Sequence, residues 1–334
     1  MATGEKPKDS YFLSWPVTQL VTNKPLPGDI YLCIRHKFIK YKNMHDEMLP
    51  HEYDKLIFHN VKILFIDEGK KEEFTKWYSV IEVEEKAQDR KILESAAAED
   101  IKEIVEVTQE MRRTALDIFS NPIGDDQIKE AVNMSKKMVT EFLKKPFVVF
   151  NVSQLQKYGR GVVDHSVNVS VLSVYLGLRM GYSSKVILEH LAMGGLMHDI
   201  GKTLMGLTED QVLDKEDAAK ENDHPILGKN ALEPKNTHQA SDYAKEVQMI
   251  VAQHHEYLDG TGYPNKLKGL AVYDLARVVT IANEYDNLVS QIQGEAMKEK
   301  MEGALKILSE DFKGKLDSKK LEKAIRAIGE SIEG

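Results

Sequence analysis

Six residues in the middle of the chain have the types and spacing of a shared metal site: His165, the pair His198-Asp199, His224 and the adjacent pair His254-His255. The groups start 33, 26 and 30 residues apart (165 to 198, 198 to 224, 224 to 254). Each interval holds about one helix and one connection, so a helical bundle would bring one ligand group per helix to a common point. Neutral imidazoles and one hard carboxylate suit first-row transition metals such as iron, manganese or zinc. Two such ions about 3.5–4 Å apart can share a bridging carboxylate and a bridging hydroxide, and coordination lowers the pKa of water toward neutrality, which makes that hydroxide a nucleophile. Asp199 is the natural bridge. The other six of the 11 histidines (His36, His45, His51, His59, His190 and His238) have no comparable context and read as ordinary ones.

Local context sets the six apart. One segment reads His198-Asp199-Ile200-Gly201-Lys202, and a later one His254-His255-Glu256-Tyr257-Leu258-Asp259-Gly260-Thr261-Gly262-Tyr263-Pro264. These follow the patterns HDxGK and HHExxDGxGYP. From Asn151 to Ile328 the chain thereby resembles the HD-GYP family, metal-dependent phosphodiesterases of bacterial cyclic dinucleotide signalling. The resemblance implies a binuclear site with His165, His198, Asp199, His224, His254, His255 and Asn283 as metal ligands. It also implies two divalent transition-metal ions, iron foremost, with manganese, zinc or others as alternatives. The implied reaction is hydrolysis of cyclic di-GMP to linear pGpG, or on to GMP. Asp199 and Lys202 are the candidate catalytic residues, Lys202 as the substrate contact that holds a non-bridging phosphate oxygen where negative charge accumulates. Asp259, Gly260, Gly262, Tyr263 and Pro264 make up the GYP loop, read as tight turns and as a surface for a protein partner. Asp259 or Glu256 would orient a ligating histidine through its second nitrogen.

The chain also departs from the family pattern. Asn283, in Ala282-Asn283-Glu284-Tyr285-Asp286-Asn287, stands where the family has an aspartate ligand; an amide oxygen ligates without charge, and Asp286 reads as structural. Gly161 replaces the glutamate of trinuclear members, which favours two metals over three. Gln291-Ile292-Gln293-Gly294 replaces an arginine-containing segment that helps to bind cyclic di-GMP, and Thr203-Leu204 replaces an isoleucine-proline pair. From Glu209 to Asp223 there are seven acidic residues against Lys215 and Lys220. That segment is either a solvated helix or a lid that would repel a dianionic substrate. Three readings stay open: an active cyclic di-GMP phosphodiesterase, a metal-containing cyclic-dinucleotide receptor or signalling scaffold with weak or no turnover, and an HD phosphohydrolase for another nucleotide.

The elements that must position these residues follow from pattern. With 334 residues, the chain is long enough for two domains. The expected fold class is α+β overall: a small N-terminal α/β domain followed by an all-α HD-type helical bundle. The expected divisions are a disordered stretch over 1–10, a regulatory or interaction domain over 11–83, a helical connector over 84–145 and the metal-binding domain over 146–334. Strands are expected over Asp29–Arg35, Phe38–Tyr41 and Val61–Ile66, and a helix over Glu52–Asn60. The connector is rich in helix formers with apolar residues three or four apart, broken at 121–125, and would either dimerise or pack on the chain's own domain. Further helices are expected over Val167–Met180, Lys185–Met197, Tyr243–Ala252, Leu275–Asp286 and, as a pair, Met297–Ile328. Gly181, Ser183-Ser184, and Ser241 or Asp242 supply the end signals. No apolar run reaches the ~18–20 residues that span a bilayer, the opening MATGEKPKDS carries no hydrophobic signal segment, and Cys33 is the single cysteine, so a cytoplasmic protein is expected. The net charge of -8 argues against non-specific nucleic-acid binding while leaving room for a small anion held by metals.

Overall fold

The computed structural model describes residues 12–34, 37–49, 52–53, 55–56, 61, 63–80, 99–121, 123–144, 161–205, 222–233, 244–292 and 296–333. The expectations for 1–10, for the start of the connector, for Ser241 and Asp242, for His36, His51, His59 and His238, and for nearly all of the acidic segment lie outside these residues.

Strands β1 (Phe12–Pro16), β2 (Ile30–Ile34), β3 (Lys37–Lys42) and β4 (Ile63–Asp67) form one sheet in the order β1-β4-β2-β3, every pair antiparallel. Alternation buries Trp15, Ile30, Leu32, Leu64 and Ile66 on one face. Phe74, from helix α1 over 71–80, packs there with its ring 5.4 Å from that of Trp15. β1 was not expected from its sequence: FLSWP carries a serine and ends on proline. Proline is tolerated because β1 is an edge strand, paired with β4 alone.

The rest is helical: α2 (Glu99–Ser120), α3 (Asp125–Lys144), α4 (Val162–Met180), α5 (Lys185–Met197), a 3-10 turn over Ile200–Leu204, α6 (His224–Ala231), α7 (Ala244–Gln253), α8 (Asp274–Gln291), α9 (Met297–Asp311) and α10 (Ser318–Glu333). α4 is the central element. Its valines and leucines alternate with small Ser and Gly residues, so it is buried nearly all round and can sit between α2, α5, α8 and α10. α2 and α3 pack on each other and against α4 and α5, so this chain's own bundle covers their apolar stripes. Arg112 of α2 closes that contact with a 3.0 Å ion pair to the buried Asp164, the residue before His165.

Two helices run longer than expected: α4 starts at Val162 rather than Val167, and α8 continues past Asp286 to Gln291. Gly181 ends α4 with φ 98°. Ser184 takes the N-cap position of α5, but its side chain makes no capping bond; its carbonyl accepts from Leu188 N at 3.1 Å.

Candidate metal centre

Helix ends deliver the site. α5 stops at Met197, so His198 and Asp199 fall where the chain leaves the helix for the 3-10 turn. Gly201 makes the next step possible, because a Cβ there would lie 1.9 Å from the carbonyl oxygen of His224. This close approach sets His224, the first residue of α6, beside Asp199. α7 ends at Gln253 and hands over His254 and His255. His165 sits in the first turn of α4, whose N-cap Gly161 has φ 59° and ψ -138°, a conformation that side-chain-bearing residues avoid.

The histidines converge on the two oxygens of Asp199. His165 Nε2 and His198 Nε2 lie 3.9 and 3.5 Å from Oδ2, while His224 Nε2 and His254 Nε2 lie 3.2 and 3.7 Å from Oδ1. Within each half the ring nitrogens face one another, His165 to His198 at 3.1 Å and His224 to His254 at 3.2 Å. Two donor groups result, one of His165, His198 and Asp199, the other of Asp199, His224, His254 and His255, each with its donor atoms within 4.8 Å.

The outward nitrogens determine what the inward ones offer. His198 Nδ1 lies 2.7 Å from the carbonyl of Gly195, and His254 Nδ1 lies 2.7 Å from that of Val251. A carbonyl only accepts, so Nδ1 carries the proton and Nε2 turns a lone pair toward Asp199. His165 Nδ1 lies 2.8 Å from Asp286 Oδ2, and Asp286 Oδ1 accepts from Asn168 Nδ2 at 3.0 Å. Sequence reading had left Asp286 as structural; its place one turn after Asn283 on the buried face of α8 is the signal that could have found it.

Electrostatics agree with a cation site. Burial pushes the His254 imidazole down to about 3 and lowers those of His198 and His255, so these rings stay neutral. Burial also opposes charge on His165, but the hydrogen bond and charge of Asp286 outweigh it and raise this ring. Burial alone would raise the Asp199 carboxyl; the charge of Lys202 and the surrounding histidines hold it well below the usual range. Lys202 Nζ reaches Asp199 Oδ2 at 2.6 Å, placing an ammonium at the edge of the cluster. Asp199 Oδ1 is buried with no aligned hydrogen-bond donor among the described residues, which fits an atom shaped for a cation.

Other expected residues fall differently. Asn283 is buried, its Oδ1 accepts from Asn287 at 3.2 Å, and its Nδ2 has no partner among the described residues. Half a turn of the amide would exchange those two atoms. Asp259 does not orient a histidine: it is exposed and closes its own turn on the backbone N and Oγ1 of Thr261. Glu256 does not either. It is buried and brackets the GYP loop, accepting from Asn265 N at 2.6 Å and Leu267 N at 2.8 Å. Gly260 turns the loop with φ 82°, and the Tyr263–Pro264 peptide is cis. The Tyr263 ring stacks on His255, with centroids 4.5 Å apart, a contact the sequence did not announce.

Comparisons with known proteins point the same way. A sequence model described as "HD domain" matches residues 142–319. Among curated proteins, the chain is 27% identical over 157 residues to 3'3'-cGAMP-specific phosphodiesterase 1 of Vibrio cholerae serotype O1, covering 45% of this chain and 36% of that one. It is 31% identical over 131 residues to a cyclic di-GMP phosphodiesterase of the same organism, covering 36% and 26%. It is 26% identical over 168 residues to cyclic di-GMP phosphodiesterase PdeB of Borreliella burgdorferi, covering 50% and 42%. The matches thus span under half the length of these relatives. Among solved structures, the fold is similar to that of Bd1817, a HDG"Y"P protein from Bdellovibrio bacteriovorus, with a TM-score of 0.56, 21% identity, and coverage of 97% of this chain and 100% of that one.

Proposed function

This chain belongs to the HD domain family, and we propose that it is an HD-GYP member of it, a metal-dependent phosphodiesterase that opens cyclic di-GMP to linear pGpG. The observation that carries this reading is the division of labour on Asp199, with Oδ2 toward His165 and His198 and Oδ1 toward His224 and His254. A carboxylate so placed suits two ions side by side. Iron is the first choice and manganese or zinc the alternatives, since imidazole-rich sites accept several first-row metals. His165, His198, Asp199, His224, His254 and His255 would hold them, with Asn283 as a neutral further ligand. Bound there, the ions would supply Lewis acidity and a water acidic enough to serve as nucleophile.

The chain's own groups do the rest. Fixed Nδ1 hydrogen bonds keep His165, His198 and His254 in the ligating tautomer. Tyr263 holds the His255 ring by stacking. Lys202, poised at Asp199, compensates the charge that grows on the non-bridging phosphate oxygens.

A second reading, hydrolysis of 3'3'-cGAMP, is favoured by the relative named for that substrate. The test is product analysis after anaerobic reconstitution with ferrous iron or manganese, using both cyclic dinucleotides. Appearance of pGpG with wild type and its loss with Asp199→Ala is expected. No product from protein holding two metal equivalents would overturn the enzymatic reading in favour of a receptor.

A further inference from the structure

His165 is carried by the first turn of α4, and that turn has no side-chain cap, because Gly161 at the N-cap position can supply none. The first N–H groups of a helix also lack intrahelical acceptors, so an uncapped start is the part of a helix most ready to shift. Asp164 is where this start is tied down. Arg112 Nε lies 3.0 Å from Asp164 Oδ1, and the two side chains are only 15% and 3% exposed, so solvent screens the pair little. Arg112 belongs to α2, which packs on α3 and α4; α6 and α7, which deliver the other histidine group, are not among its main neighbours within the described residues. α2 also lies wholly outside residues 142–319, the stretch that matches as an HD domain.

Neighbouring residues on a helix point about 100° apart. With Asp164 held toward α2, the His165 ring is turned to its other contacts. Its Nδ1 is 2.8 Å from Asp286 Oδ2 of α8, and its Nε2 is 3.1 Å from His198 Nε2 and 3.9 Å from Asp199 Oδ2. Asp286 sets the tautomer and tilt of the ring, but a bond to the ring does not fix the backbone that carries it. From this geometry we propose that Arg112 is a positioning residue for the metal ion held by His165, His198 and Asp199, acting through Asp164 and the first turn of α4. The role rests on the binuclear reading and deepens it. One metal position depends on a residue of the connector, whereas the other, held by Asp199, His224, His254 and His255, does not.

The experiment titrates the full chain with manganese(II) against a chromogenic chelator, which resolves the two affinities, and takes melting temperatures on the same samples. Arg112→Met alone leaves the buried Asp164 without this cation, so the double variant Arg112→Met/Asp164→Asn, which leaves no buried charge, is measured beside it. Both should bind one ion with wild-type affinity and the other about 10–100-fold more weakly. Arg112→Lys, which keeps a cation facing Asp164, should recover part of the weakened affinity. Ile118→Ala opens a cavity at a fully buried position of the same helix; it should lower the melting temperature yet leave both affinities unchanged. Wild-type affinities in the double variant, equal weakening of both ions, or the same selective loss in Ile118→Ala overturns the positioning role while leaving the two-metal centre intact. A wild type that binds a single ion overturns the binuclear reading itself.

Discussion

Asp286 Oδ2 lies 2.8 Å from His165 Nδ1, joining two residues that are 121 positions apart. The carboxylate fixes the proton on Nδ1 and points the Nε2 lone pair at Asp199. Asparagine at 286 can donate to Nδ1 instead, which would put the proton on Nε2 and remove the ligand. Asp286→Asn is therefore expected to weaken metal affinity by about 10–100-fold with the fold retained, read by competition with a chromogenic chelator. Wild-type affinity would show that this contact does not govern the site.

Asn283 tests the other end of the same helical turn. Asn283→Asp replaces a neutral amide by a carboxylate on the buried face of α8 and should tighten metal binding several-fold in the same titration. Unchanged or weaker affinity would place Asn283 outside the ligand set.

Gly201 tests the packing that brings His224 in. A methyl there would lie 1.9 Å from His224 O and 2.5 Å from Gly228 N, so α6 must move away. Gly201→Ala should destabilise by at least about 1–3 kcal/mol and lower metal content. A melting temperature and metal content equal to wild type would contradict the close contact.

Away from the site, Lys320 of α10 ties Tyr182 and Asp274 together, at 2.7 Å and 3.1 Å. Burial opposes charge on Lys320, but its bonds to Tyr182 and Asp274 outweigh this and raise its pKa above 10.5. Burial likewise opposes charge on Asp274, yet Tyr182 and Lys320 bring its pKa below 3.8. A raised lysine stabilises below its unfolded value, and that stabilisation is lost as pH rises through the folded one. A depressed aspartate stabilises above its unfolded value and loses this as pH falls through the folded one. Lys320→Met should thus lower the melting temperature through the neutral range, with a deficit that shrinks in acid, below pH 3.8, as Asp274 protonates. A deficit independent of pH would mean that Lys320 acts through packing alone.

What the sequence made legible were the features that leave a local mark. The apolar period over 185–197 stops where His198 begins, and a glycine follows within three residues, so the delivery of His198-Asp199 from a helix end could be read directly. The acceptors behind the histidines could not. Gly195 and Val251 act through carbonyls of a last helical turn, groups that every helix end exposes whatever its side chains. Asp259 and Glu256 misled because a carboxylate near a histidine pair looks like its partner, whereas one closes a turn on Thr261 and the other holds two loop amides. β1 escaped because its pairing with β4 is long-range, and only that pairing makes FLSWP a strand.

If Asp199 serves two metal positions, one through each oxygen, its removal must show in the number of metals bound. Purified wild type and Asp199→Ala would be reconstituted anaerobically with ferrous iron or manganese, freed of excess ion, and assayed for metal equivalents per folded chain. Two equivalents for wild type and fewer than one for Asp199→Ala, with helical content unchanged, are predicted. Two full equivalents retained by Asp199→Ala would contradict the account.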